Sequence, residues 1–247
     1  MALTARPAVP GQGGTSMRHE HHRNVQGSAA RAAVFGVSDG LLTNVSLILG
    51  VAGAHPGAGV VRLAGLAGLL AGAFSMAAGE YVSVRAQGEL LEREVGIERE
   101  ELRRHPESER RELVALYVSR GVPTEAAEAV ADAISRSPEL ALEVHTREEL
   151  GVSPGSTGSP WIAAASSFVS FAFGAAGPLL PWFFATGTTA TVASIIIGAL
   201  MSLTVGFAVG SFTGRSRFGT AVRQLAIGAL AAAVCTAIGA LVGVRTT

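Results

Sequence analysis

Six side chains in the middle of the chain have the types and spacing of a metal-binding site. Glu98 and Glu101 are three residues apart, as are Glu109 and Glu112, and residues three apart on a helix share a face. The two pairs are symmetric about position 105, where His105-Pro106 interrupts a helix-forming run that begins at Arg85. Proline is disfavoured inside a helix but tolerated in a first turn, so the chain should fold back there as a helical hairpin and bring four carboxylates together. The second arm should run to Ser119, before Gly121 and Pro123. A further helix should have Ser137 as its cap, Pro138 in its first turn and its end at Gly151, which places His145 and Glu149 on one face. Carboxylate oxygens with an imidazole suit divalent iron, manganese or zinc better than calcium, whose ligands are all oxygen. The competing reading is a solvated helix pair with weak surface ion pairs, as around Glu94 with Arg93 and Arg99 nearby.

A second group lies in apolar surroundings. Asp39 is followed one and two turns later by Thr43 and Ser46, a polar stripe along an otherwise apolar helix. A carboxylate inside a bilayer is expensive, so it points to function. Met76 and Glu80 are four residues apart in the next apolar stretch. A thioether favours softer transition ions, although methionine also serves as a simple gap filler. His19, Glu20, His21 and His22 form an accessory metal candidate in a segment without folding signals.

The elements that carry these residues are membrane spans. The chain is 49% hydrophobic over 247 residues, more than one soluble core requires. Uncharged or nearly uncharged stretches long enough to cross a bilayer are Ala32 to Ala54, Leu63 to Val84, Trp161 to Ala185, Thr188 to Phe212 and Gln224 to Val244. This predicts an all-α membrane protein with five transmembrane helices and a cytoplasmic helical metal-binding domain inserted between spans two and three. The expected divisions are a disordered cytoplasmic N-terminus over 1–30, spans one and two over 31–84, the acidic domain over 85–151, a linker over 152–159 and spans three to five over 160–247. The first 30 residues have no apolar core before a cleavage site, so the first span should itself direct insertion. Gly36 with Gly40, Gly68 with Gly72, Gly206 with Gly210 and Gly214, and Gly239 with Gly243 should pack helices within one subunit or form a dimer face.

Net charge is zero, but the charges are segregated. Sixteen of the 19 acidic residues lie between Glu89 and Glu149, against ten arginines from Arg85 to Arg147, which excludes a nucleic-acid surface. Seventeen arginines fall on one side of the five spans and only Arg62 and Arg245 on the other. The positive-inside rule then puts the N-terminus and the acidic segment in the cytoplasm. Cys235 is the only cysteine, which excludes an intramolecular disulfide and any cysteine metal cluster in one chain.

Several of these stretches together resemble the vacuolar iron transporter family, in its bacterial branch. They are RAAVFGVSDGLLTNVSLILGVAGA around Asp39, AGAFSMAAGEYVSVRAQ around Met76 and Glu80, REELGV ending the acidic segment, and SSFVSFAFGAAGPLLPW in span three. The resemblance runs from about Arg23 to the C-terminus and implies five spans, a homodimer with a pathway between subunits, and proton-coupled export of Fe2+, often also Mn2+, from the cytosol. It also implies membrane ligands at Asp39 and Met76 and cytoplasmic ligands at Glu98, Glu101, Glu109, Glu112 and Glu149. His145 stands where the family has a methionine, and an imidazole ligates only when deprotonated. The sequence therefore reads as a divalent-metal transporter and not an enzyme, with Fe2+, Mn2+ or Zn2+ as substrates and no permanently bound cofactor. Asp39 and Glu80 would carry protons, Thr43 would line the pathway, and the host would be a bacterial inner membrane. The alternative is a membrane-anchored sequestering protein, which needs no carboxylate in the bilayer.

Overall fold

The computed structural model describes residues 28–149, 151 and 158–246. The cluster at His19 to His22 lies outside the described residues. Among those described there are helices and no strand: α1 (Ser28–Gly53), α2 (Ala58–Arg104), α3 (Pro106–Ser119), α4 (Thr124–Ser135), α5 (Pro138–Glu149), α6 (Pro160–Leu179), α7 (Pro181–Phe184), α8 (Gly187–Thr213) and α9 (Arg217–Thr246). Five of them, α1, α2, α6, α8 and α9, are long and apolar enough to cross a membrane. Leu70 and Phe74 on α2, Ile196 and Leu200 on α8, and Leu230 and Leu241 on α9 all point outward. Such a surface is at home in acyl chains and not in water. The protein is an integral, multi-pass membrane protein.

Close packing of α1 against its neighbours organises the bundle. A Cβ at Gly40 would lie 2.1 Å from the Phe171 carbonyl oxygen on α6, and one at Gly239 on α9 would lie 1.7 Å from that of Gly50. Gly206 and Gly210 of α8 meet Ala221 and Arg217 of α9 in the same way. These glycines therefore serve packing within one subunit, where close backbone approach replaces the hydrophobic force that lipid does not supply; Gly214 is the exception, with open space around it, because it ends α8 in the left-handed conformation.

The third span departs from the expected Trp161 to Ala185. It stops at Leu179, and the four-residue α7 follows. Pro178 and Pro181 each remove a backbone donor, so the helical ladder fails there. Side chains from other helices bind this region: Ser194 Oγ donates to the Pro178 carbonyl at 2.7 Å, and Asn44 Nδ2 donates to the Ala175 carbonyl at 2.7 Å. Asn44 is fully buried.

α2 continues without a break from its apolar half into its charged half. At 47 residues it is about 70 Å long, more than twice the roughly 30 Å of a bilayer core. The projecting end packs with α3, α4 and α5 around Leu113, Ala131, Ile134 and Ala141, with Leu102, Leu116, Tyr117 and Val144 at its margin. Helix α4 was not anticipated from the sequence, although Ala127, Ala131 and Ile134 recur at helical spacing and form its buried face.

Candidate metal centre

The hairpin forms at the anticipated turn. His105 N–H donates to the Glu101 carbonyl to close α2, and Pro106 opens α3. On α5 the Ser137 hydroxyl accepts from Leu140 N–H at 3.3 Å, the expected cap, and Gly151 beyond the helix is left-handed at φ +68°.

Core packing determines which carboxylates converge. Glu98 lies one turn before Leu102, Glu109 one turn before Leu113, and His145 one turn after Ala141, so each ligand stacks on a residue of the helical core or its margin. Glu98 and Glu109 are 7% exposed and His145 only 2%. His145 Nδ1 lies 3.2 Å from Glu98 Oε1, 3.2 Å from Glu149 Oε1 and 3.8 Å from Glu109 Oε2. One ligand atom from each of these four residues falls within 4.8 Å of the others. Opposed ligands around a transition ion with bonds of about 2.0–2.2 Å are separated by about 4.2 Å, so small side-chain rotations close the shell.

Glu101 and Glu112 do not join this group. Both are exposed, and they act on it through their charge. A residue three positions on is rotated by about 60° and raised by about 4.5 Å, enough to move it from the core end to the rim. The expected convergence of four glutamates is thus a convergence of Glu98 and Glu109, with Glu149 and His145 completing the set.

The electrostatics are those of an uncompensated cluster. Arg110 pairs with Asp132, Arg120 with Glu148, Arg147 with Glu143, and Arg103 and Arg104 with Glu100. Among the described residues no arginine pairs with Glu98, Glu109 or Glu149. Glu98 Oε1 is buried without a hydrogen bond, because the nearby Nδ1 of His145 bonds Glu149 Oε1. Burial, followed by the charges of Glu149, Glu109, Glu101 and Glu112, pushes the Glu98 carboxyl up to about 7. Burial and then Glu112 raise Glu109 as well, with His145 opposing. A divalent cation would relieve all of these costs at once.

In the membrane, Asp39 and Thr43 lie on an exposed face of α1, the Thr43 hydroxyl donating to Asp39 Oδ1 at 3.5 Å. The anticipated stripe ends there, because Ser46 turns inward. Met76 is half-buried against Ala73, Phe171 and Ala175, and Glu80 is half-buried one turn further along α2. Sequence reasoning passed over Asn44, an amide in the middle of an apolar span; its buried Oδ1 has no hydrogen-bond partner among the described residues.

A buried His-carboxylate cluster, with Glu98 on a helix that continues into an apolar span and its other members on α3 and α5, defines a class: multi-span membrane proteins with an appended helical domain that carries candidate metal ligands. Residues 30–240 match the model of the VIT family, and the chain belongs to that family. It is 31% identical over 233 residues to vacuolar iron transporter 1 of Oryza sativa subsp. japonica, covering 92% of each chain. It is 30% identical to vacuolar iron transporter 1 of Arabidopsis thaliana, with 90% of this chain and 91% of the relative covered. Identity to the vacuolar iron transporter of Acanthamoeba castellanii is 35%, over 90% of this chain and 82% of the relative.

Proposed function

We propose that the protein moves divalent transition-metal ions, Fe2+ and Mn2+ foremost, out of the cytosol in exchange for protons. The observation that carries this reading is the convergence of Glu98, Glu109, His145 and Glu149 at the projecting end of the helix that bears Met76 and Glu80 within the membrane. Nitrogen and oxygen donors around one point suit Fe2+, Mn2+ and Zn2+. The cluster gathers the ion; Asp39, Thr43 and Met76 line its passage; Asp39 and Glu80 exchange protons.

The same physics favours a homodimer. Asp39 and Thr43 are exposed on one chain at the level of the spans, and a carboxylate facing lipid costs about 2.5–3.5 kcal/mol on insertion scales. A second copy across this face replaces lipid with a polar pathway. On this reading the acidic unit faces the cytosol, which the arginine distribution supports, and the host is a bacterial inner membrane.

Flux measured in proteoliposomes tests the reading. Asp39→Asn removes the charge at nearly constant volume and inserts at least as well as the parent. It should express, bind metal at the helical unit and lose Fe2+ and Mn2+ flux at least tenfold. Parental flux in the variant would overturn the pathway, and no flux in the parent under a pH gradient would leave sequestration as the function.

A further inference from the structure

A second polar site lies away from the metal centre, at the connection between α8 and α9. Gly214 ends α8 in the left-handed conformation at φ +68°, and Arg215 and Ser216 lead into α9. A cavity of about 320 Å3 is lined there by Arg215, Ser216, Gly219, Thr220 and Arg223. We propose that this cavity binds the phosphate of an anionic lipid headgroup.

Charge comes first. Most arginines in the helical unit have carboxylate partners, such as Arg110 with Asp132 and Arg147 with Glu143. From Gly151 to Thr247 the chain has no Asp or Glu, and among the described residues no carboxylate forms an ion pair with Arg215 or Arg223. Guanidinium groups match phosphate with paired donors, and two of them line one concave site. The floor is braced: Gly219 N–H donates to Ser216 Oγ at 3.2 Å, and Thr220 Oγ1 donates to the Ser216 carbonyl at 2.9 Å. Arg217 stays outside, its guanidinium 5.5 Å above the Phe207 ring.

Position selects a lipid over a soluble anion. The cavity lies where two apolar spans end, at the boundary of bilayer and water. Phe218 lies between the arginines in sequence and is 79% exposed, a placement that suits acyl chains. A headgroup at Arg223 would also brace α9 against α1, because the adjacent Gln224 amide donates to the Ser38 hydroxyl beside Asp39. None of this depends on which side of the membrane the loop faces.

The test uses the full-length protein in nanodiscs of equal parts phosphatidylglycerol and phosphatidylcholine, with retained lipids counted by native mass spectrometry. Each arginine near an anionic surface contributes about a fivefold preference. The parent should therefore enrich phosphatidylglycerol at least about fivefold over the bulk, and R215Q/R223Q should return to near the bulk ratio. Arg62→Gln, at the opposite end of the spans, should keep the enrichment. The parent's enrichment should also fall as salt rises, a measurement that needs no variant. Equal enrichment in parent and double variant, or enrichment indifferent to salt, would overturn the proposal. So would stabilisation of the parent by inorganic phosphate in pure phosphatidylcholine matching that by phosphatidylglycerol, which would make the site one for a free anion.

Discussion

Glu98 concentrates the chemistry of the candidate metal centre in one carboxyl. Its pKa rises from the ordinary 4.5 to about 7, so between these values the folded chain binds a proton that the unfolded chain has released. Stability of the metal-free protein should therefore fall as pH rises through that window, the opposite of a salt-bridged carboxylate. A metal must expel the same proton, so its apparent affinity should weaken by up to about tenfold for each pH unit below 7 and level off above it. Calorimetry in buffers of different ionisation enthalpy would count the proton released. Glu98→Gln should flatten the pH dependence and lower affinity by more than the 10- to 100-fold typical of losing an outer-shell partner. The same variant should raise the melting temperature of the metal-free protein, because a crowded charge is gone.

At the level of elements, the ligands depend on the core beneath them. Leu113 is 1% exposed and touches no ion, yet Glu109 stands one turn above it. Leu113→Ala should cost about 2–5 kcal/mol of the helical unit's stability and weaken metal binding together with it, as followed by thermal unfolding with and without Mn2+. The sequence showed the five spans through their lack of charge, the hairpin through His105-Pro106 and the cap through Ser137. It did not show that Glu101 and Glu112 stay at the rim, because spacing along one helix says nothing of the angle at which a second helix crosses it. The helix over Thr124–Ser135 was missed for a similar reason: its small apolar face is convincing only against the partner helices that cover it. The break at Leu180 was foreshadowed by Pro178 and Pro181, whereas the buried Asn44 amide beside it gave no periodic signal.

At the level of the whole molecule, the arrangement of spans fixes what orientation can mean. If each of the five apolar helices crosses once, the termini fall on opposite sides, and on the positive-inside rule seventeen arginines against two would put the N-terminus in the cytoplasm. With Cys235 replaced, a cysteine at Thr247 should react with an impermeant thiol reagent from outside intact cells, and one at Ser119 should be protected until the membrane is opened. The reverse pattern would invert the direction of transport proposed here. The unbroken α2 also has a mechanical meaning. Met76 and Glu98 are 22 residues apart on it, about 33 Å of continuous helix. Such a rod acts as a lever: a tilt of about 5° pivoting at Met76 sweeps the far end through about 3 Å. On the proposed function, a shift of about 1 Å at Glu98 would thus turn the helix by about 2° at Met76, and by the same angle along its whole length inside the membrane.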